Sequence, residues 1–247
     1  MANSRSFDRR RFIKVCASAG AAVVADPGLM AQPAGELVPA ERVRLVDTRG
    51  RTLRPDSLNA GESYVFNYPF VTTPCFLIDL GRATEPGADL ATEDGRTYRW
   101  SGGVGPGRSI VAFSAICAHR MSYPTREVSF ISYRHKPVSE STGDAGWWNR
   151  GQVIYCCSEG SVYDPRDGAR VLAGPAPQPL AAIRLEYDAD ESAMFATGIY
   201  GGDMIQRFFD TFGFQVALAR GHDDIRKPAH ETATVWPFDE YSRNSVC

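Results

Sequence analysis

Two short cysteine-containing segments, far apart in the sequence, most strongly constrain how this 247-residue chain can fold. The first, Cys117-Ala-His119, ends the most apolar strand-like run of the chain, and the second begins at Cys156 after another β-type run. Both lead into residues that favour turns, so each cysteine is predicted to lie at the tip of a hairpin. Thiolate and imidazole together are ligands for iron–sulfur clusters or zinc. The fold must therefore bring two distant hairpin tips together.

The body of the chain consists of short runs that are typical of β-strands. These runs are rich in β-branched and aromatic residues and are separated by breakers, in a chain with 23 Gly and 16 Pro. Few helical periods occur before residue 200, so the sequence predicts an all-β antiparallel sandwich. The predicted strands are 42–46, 64–66, 75–80, 98–100, 109–116, 128–133, 152–155, 170–172, 183–187 and 193–196.

Two segments depart from this pattern. Residues 203–220 carry apolar side chains at three- and four-residue steps, which predicts an amphipathic helix, interrupted at Gly213. Residues 134–151 are polar, with Gly and two Trp, and are predicted to form a loop.

Residues 1–31 have the features of an export signal. Arg9-Arg10-Arg11-Phe12-Ile13-Lys14 resembles the twin-arginine consensus, and an apolar run follows at 15–25. That run is too short to cross a bilayer and has the length of a signal-peptide core. A basic surface helix is the alternative. The signal predicts a periplasmic protein that is exported already folded, with any membrane association arising from a partner or an uncleaved signal.

Charge and cysteine content exclude some classes of protein. The net charge of −2 gives no electrostatic argument for binding nucleic acid. Six cysteines are too few for a disulfide scaffold in a chain of this length, so each needs its own explanation. We expect Cys75 to lie in the core, with Cys247 as a partner for Cys75 or for another chain.

The two cysteine segments and the residues after them resemble the Rieske 2Fe–2S protein family. Within residues 64–196, the stretches 73–78 and 116–124 are most similar to the small subunit of arsenite oxidase. The resemblance implies a Rieske-like domain at 32–200, with a cluster-binding subdomain at about 110–180, before a helix and tail at 201–247. The matching residues are Cys117-Ala-His119, Gly160-Ser161-Val162-Tyr163-Asp164 and Gly174-Pro175-Ala176-Pro177.

The resemblance implies most of a ligand set for the cluster. Rieske clusters are held by two Cys on one iron and two His on the other. Cys117 and His119 match the first half of this set, and Cys156 matches the second thiolate. The family's second segment is Cys-x-x-His, and Glu159 stands where that histidine belongs. Moving the register by one residue uses Cys157 instead and also supplies no histidine.

The fourth ligand therefore stays open at this point. Glu159 as a carboxylate, Cys157 as a third thiolate, and His135 from the 36-residue linker 120–155 are the three candidates. The resemblance further implies that Ser161 and Tyr163 donate hydrogen bonds to sulfur, and that residues 174–177 form a proline loop that shields the cluster. The family's disulfide between the two loops has no counterpart, because Ser122 and Ser158 occupy its positions.

These features predict a periplasmic Rieske-type electron-transfer subunit rather than a stand-alone enzyme. It would pass electrons between a catalytic oxidoreductase subunit or respiratory complex and an acceptor such as a c-type cytochrome. Two other hypotheses remain. One is an accessory subunit that kept the Rieske fold and lost or altered its cluster. The other is a zinc site built from two or three cysteines and His119.

Overall fold

The computed structural model describes residues 37–141, 147–220 and 224–247. These ranges fall in a single compact unit that begins at Pro33. The export signal predicted for residues 1–31 lies outside them. None of the helices in the described ranges is long and apolar enough to span a membrane.

Strands dominate the described part of the chain, as the spacing of breakers predicts. Sixteen strands form there: β1 Val38–Val46, β2 Ser63–Asn67, β3 Pro74–Asp79, β4 Ala88–Ala91, β5 Thr97–Trp100, β6 Ile110–Ser114, β7 Ile131–Arg134, β8 Val138–Ser141, β9 Trp147–Arg150, β10 Val153–Cys156, β11 Ser161–Asp164, β12 Arg170–Ala173, β13 Ile183–Asp188, β14 Ala193–Ile199, β15 Thr232–Thr234 and β16 Trp236–Pro237. Two helices follow the body of the sheets, α1 Met204–Arg220 and α2 Phe238–Tyr241.

The strands form three four-stranded sheets and two separate hairpins. The sheet orders are β13-β14-β1-β15, β16-β2-β3-β6 and β12-β11-β10-β7, and the hairpins are β4-β5 and β8-β9. All pairs are antiparallel except β1 with β15. One apolar core joins the sheets, and Leu45, Phe76 and Phe113 are among its fully buried side chains. The protein is therefore a mainly antiparallel β structure, as predicted.

Two sheets position the cysteines. β6 is fully buried and pairs with β3, so that Ser114 lies opposite Cys75 and the chain leaves the sheet three residues before Cys117. In the third sheet, β10 lies between β7 and β11 and ends at Cys156. The most apolar predicted strand thus forms the supporting element of the first cysteine loop.

α1 packs against the body of the protein through its aromatic residues. The Phe209 ring centroid lies 5.3 Å from that of Phe70, and the Phe208 centroid lies 4.9 Å from that of Tyr123. The predicted interruption at Gly213 is wrong, because the helix runs through this residue without a break. A single glycine costs a helix only about 1 kcal/mol, which packing of the aromatic face readily offsets.

The predicted loop at 134–151 is also wrong in part. It contains the hairpin β8-β9, in which Ser139 lies opposite Asn149. The polar composition predicts a loop there. A short hairpin can nevertheless form, because its backbone supplies the hydrogen bonds and few of its side chains need to be buried.

Candidate metal centre

The first cysteine lies in a tight loop that closes on itself. The Cys117 amide donates to the carbonyl of Ser122 at 2.8 Å, and the Met121 amide donates back to the Cys117 carbonyl at 3.0 Å. Met121 adopts a left-handed backbone conformation with a φ of 60°. The Cys117 side chain is buried within this loop, with 2% of its surface exposed.

The second cysteine ends β10 at the β10-β11 turn. The Gly160 amide donates to the Cys156 carbonyl at 2.9 Å, and a φ of 77° at Gly160 allows the chain to reverse. Cys156 lies opposite Ser161 in the antiparallel register, so their side chains share one face of the hairpin. Only 1% of the Cys156 surface is exposed.

The two loops converge so that the Cys117 and Cys156 thiol groups hydrogen-bond to each other. This bond, donated by Cys156, is the main reason that the pKa of Cys117 is lowered to about 6. The same bond, together with burial, raises the pKa of Cys156. The interaction therefore favours the thiolate form of Cys117 and the thiol form of Cys156.

Backbone amides in both loops are directed at the sulfur atoms. The amides of His119 and Arg120 face the Cys117 sulfur, and those of Ser158 and Glu159 face the Cys156 sulfur. Each cysteine thus receives amides from the second and third residues after it. Donors in this position stabilise thiolates, which are the form of cysteine that binds metals.

Two hydroxyl groups complete the sulfur environment. The Tyr163 hydroxyl lies 3.2 Å from the Cys117 sulfur and accepts a hydrogen bond from the Ala118 amide, also at 3.2 Å. Because that oxygen already accepts a hydrogen bond from the Ala118 amide, its own hydrogen is free to point at the sulfur. The Ser161 hydroxyl is fully buried beside Cys156 and has no hydrogen-bond partner among the described residues. A buried orphan donor next to a thiol pair suits an acceptor that the polypeptide does not supply.

A second group of side chains lies at the partly exposed side of the loops. The Nδ1 atom of His119 is 3.1 Å from one carboxylate oxygen of Glu159, and Arg120 Nε is 2.7 Å from the other. Despite this approach to Glu159, the buried Nδ1 atom of His119 has no hydrogen-bond partner among the described residues. Glu159, predicted to replace a histidine, therefore does reach His119.

The other two candidates for the fourth ligand lie elsewhere. Cys157 forms a disulfide bond with Cys247 and is not a free thiol in this structure, which corrects its proposed role as a third thiolate. His135 packs beside Gly61 and Tyr133 at the far end of β7. It lies four positions beyond Ile131, the residue opposite Cys156, which corresponds to about 13 Å along a strand.

The disulfide was missed by sequence reasoning. The expected partners of Cys247 were Cys75 or a cysteine of another chain, but Cys75 is fully buried and its thiol donates to the Tyr68 carbonyl at 3.0 Å. The adjacent pair Cys156-Cys157 was the available signal. Neighbouring residues of a strand end point to opposite faces, so one of them was bound to face away from the site.

The segment predicted as a proline loop packs closely on the second cysteine turn. Gly174 has a φ of 87°, and a Cβ atom at this position would lie 2.4 Å from the Gly160 carbonyl oxygen. Glycine is required here both by the backbone conformation and by this contact. The loop therefore covers the turn that carries Glu159 and Ser161.

The donor set falls into two pairs. Among the residues that the structure describes, no three His, Cys, Asp or Glu side chains converge on a single metal ion. Cys117 lies with Cys156, and His119 lies with Glu159. A 2Fe–2S cluster takes two protein ligands on each iron, so two adjoining pairs suit it. The thiol pair matches the two thiolates that the Rieske resemblance implies, and the second pair offers one imidazole and one carboxylate in place of two imidazoles.

The fold and the site define a mainly antiparallel β protein in which two separate loops bring a pair of buried thiols together. No model of a known protein family matches the chain. Among solved structures, the chain is similar to the soluble domain of the Rieske protein II (soxF) from Sulfolobus acidocaldarius, with 26% identity and a TM-score of 0.44. The match covers 66% of this chain and 81% of that one.

Proposed function

We propose that this protein is a Rieske-type iron–sulfur electron-transfer subunit of an exported oxidoreductase complex, nearest in type to the small subunit of arsenite oxidase. The observation that carries the proposal is the buried Cys117–Cys156 pair, built from two separate loops and surrounded by N–H and O–H donors. Purely structural cysteines are usually inert and have raised pKa values, as Cys75 does here. In this pair, by contrast, the neighbouring Cys156 thiol and the Tyr163 hydroxyl lower the pKa of the buried Cys117.

The proposed ligands are Cys117 and Cys156 on one iron, with His119 and Glu159 on the other. When bound, a cluster of this class accepts and releases one electron at a time. Hydrogen bonds from Tyr163 and the loop amides to sulfur stabilise added negative charge and so raise the potential. The carboxylate of Glu159 is an anion in place of a neutral imidazole and acts in the opposite direction. We therefore expect a potential below that of a Cys₂His₂ centre.

The proposed partners are a catalytic oxidoreductase subunit or a respiratory complex as one electron partner and an acceptor such as a c-type cytochrome as the other. The proposed location is the periplasm, which is supported by the twin-arginine pattern at Arg9-Arg10-Arg11-Phe12-Ile13-Lys14. The formal net charge of −2 gives no electrostatic reason to propose nucleic acid as a further partner.

One observation favours a second candidate, an accessory subunit without a cluster. Several groups of the site also pair with each other, since the Cys117 and Cys156 thiols interact and Arg120 forms an ion pair with the Glu159 carboxylate. Such mutual pairing is what a site that had lost its metal would need.

Metal analysis of anaerobically purified protein separates these proposals. The electron-transfer proposal expects two iron and two sulfide per chain and a rhombic electron paramagnetic resonance signal after reduction. Protein without iron or sulfide would refute it and leave the accessory subunit. Zinc alone would support a zinc site made from Cys117, Cys156 and His119.

The role of Glu159 is tested by substitution. Glu159→Gln removes the anion and should lower the iron content, whereas Glu159→His should retain iron and raise the potential, because a neutral imidazole replaces the carboxylate. Glu93→Gln is the matched control, since Glu93 also pairs with an arginine, Arg207, but lies outside both cysteine loops. Unchanged iron content and an unchanged resonance spectrum in Glu159→Gln would exclude Glu159 as a ligand.

A further inference from the structure

Residues 243–247 lie alongside the segment that follows the first cysteine loop. The Ser129 amide donates to the Asn244 carbonyl at 2.8 Å, and the Val246 amide donates to the Ser129 carbonyl at 3.0 Å. The Asn244 side-chain amide adds a bond to the Glu127 carbonyl at 2.8 Å. These bonds make residues 243–247 a short parallel addition to the first loop's exit segment.

The same tail is joined covalently to the second cysteine loop. Cys247 forms its disulfide with Cys157, the first residue of the β10-β11 turn. The Cys157 amide also donates to the Phe130 carbonyl at 3.0 Å, next to the segment that the tail pairs with. The exit of the first loop, the tail and the second loop therefore meet at one point.

The disulfide lies on the face opposite the thiol pair. Cys156 belongs to the main core, whereas Cys157 and Cys247 pack against a separate small cluster that contains Val153 and Val162. The disulfide therefore restrains the backbone of the second loop without involving the Cys156 sulfur, which is the proposed ligand. It also adjoins residues 158 and 159, whose amides face Cys156.

We propose that the Cys157–Cys247 disulfide and residues 243–247 form a clasp that positions the second loop of the metal centre against the first. Cys157 and Cys247 are positioning residues in this proposal, acting through the backbone of Ser158 and Glu159. The clasp rests on the proposed function only for its effect on a bound cluster. Its effect on the loops is a property of the polypeptide alone.

Hydrogen exchange of the purified full-length protein tests the clasp directly. In Cys247→Ser and in Cys157→Ser, the amides of residues 158–161 should exchange about tenfold faster or more, because the loop loses its tie and opens locally. Val246→Ala keeps the disulfide and alters an exposed side chain of the same tail, so its exchange should match that of the parent. The β4-β5 hairpin serves as the internal reference in every sample. Parent-like exchange at 158–161 in both cysteine variants would overturn the proposal.

Two further measurements distinguish failure of the clasp from failure of the proposed function. Mass mapping without reductant must find the peptide that links Cys157 to Cys247 in the parent protein, and its absence would also overturn the proposal. Where the parent contains iron, a chelator should remove it about tenfold faster from Cys247→Ser than from Val246→Ala. If the parent has no iron but the exchange difference is present, the proposed function fails and the clasp stands. If iron is present and exchange is unchanged, the clasp fails alone.

Discussion

Buried tyrosine hydroxyls in this protein are of two kinds, and the difference bears on the chemistry of the site. The Tyr163 hydroxyl bridges the Cys117 sulfur and the Ala118 amide. The Tyr68 hydroxyl is equally buried and has no partner among the described residues. A hydroxyl that contacts the Cys117 sulfur can therefore be compared with a buried hydroxyl that makes no hydrogen bond among the described residues.

Removing these hydroxyls should have unequal effects. Tyr163→Phe leaves the Ala118 amide without an acceptor and the Cys117 thiolate without a donor, and should lower the free energy of unfolding by about 1–3 kcal/mol. Tyr68→Phe removes an unpaired polar atom and should change the free energy of unfolding by less than about 0.5 kcal/mol. Urea unfolding of the metal-free proteins measures both. Equal losses would mean that the Tyr163 contacts contribute nothing specific.

The thiol pair should make the stability of the metal-free protein depend on pH. Cys117 has a pKa of about 6 in the folded state against an ordinary value of 9.0, so between these values the folded state binds fewer protons than the unfolded state. Stability then rises as pH increases from about 6 to 9, by an amount on the order of 1–3 kcal/mol. Above pH 9, Cys156 keeps its proton in the folded state because its pKa is raised, so stability falls again.

The measurement is urea unfolding from pH 5 to 10, compared with the double variant Cys117→Ala, Cys156→Ala. Subtracting the two curves isolates the pair from all other titrating groups. A flat difference between pH 6 and 9 would contradict the lowered pKa of Cys117.

Sequence reasoning located these residues but not all of their contacts. Cys117 and Cys156 could be placed at hairpin tips because each follows an apolar run that has to be a buried strand. The Cys157–Cys247 bond could not be predicted, because it joins residues 90 positions apart and depends on where the tail runs. The ion pair between Arg120 and Glu159 was missed for a related reason, because the partner of a charged loop residue leaves no periodic pattern in the sequence.

At the level of secondary-structure elements, prediction succeeded for apolar strands that are buried on both faces and failed where the composition was polar. β3 and β6 were found because nearly every residue in them is apolar and buried. β8 and β9 were assigned to a loop, and β11 was described only as turn residues. These strands are held by backbone pairing to a neighbour, which leaves little trace in a single sequence.

The packing of the proline loop on the second cysteine turn makes a prediction about two glycines. Gly174 and Gly50 both have left-handed backbone conformations, with φ of 87° and 75°, but only Gly174 has atoms within reach of an added Cβ. Gly50→Ala should cost about 1–2 kcal/mol from backbone strain alone. Gly174→Ala should cost a further 1–3 kcal/mol, roughly, because the new methyl group meets the Gly160 carbonyl.

Urea unfolding measures both costs, and hydrogen exchange at residues 158–161 should accelerate only in Gly174→Ala. If the two variants lose the same stability, the contact between the proline loop and the second turn is not a constraint on the site.

At the scale of the whole molecule, the helix that follows the sheets belongs to the same body as the site. Phe208 of α1 is fully buried and contacts Tyr123, which follows the first cysteine loop. The opposite side of α1 exposes Phe214 and Leu218, with 80% and 74% of their surface accessible. The inner face therefore supports the first loop, while residues 243–247 support the second, so both loops are held by parts of the chain that follow the sheets.

We expect the Cys157–Cys247 disulfide to form in exported protein and not in protein that stays in the cytoplasm. The twin-arginine route depends on the arginine pair itself, whereas a general signal needs only positive charge before an apolar run. Replacing Arg9, Arg10 and Arg11 together with Lys keeps the charge and should retain the protein in the cytoplasm. Arg5→Lys, outside the motif, is the control and should be exported normally.

The redox state of Cys157 and Cys247 can then be compared between the retained variant and the exported control. The cytoplasm keeps thiols reduced, so Cys157 and Cys247 should be alkylated as free thiols in the retained variant and found as a disulfide in the exported control. Cell fractionation followed by mass mapping of alkylated cysteines gives both results from one sample. Export of the triple Lys variant at the normal level would mean that the route is not twin-arginine, and the expectation that the protein is exported already folded would lose its support.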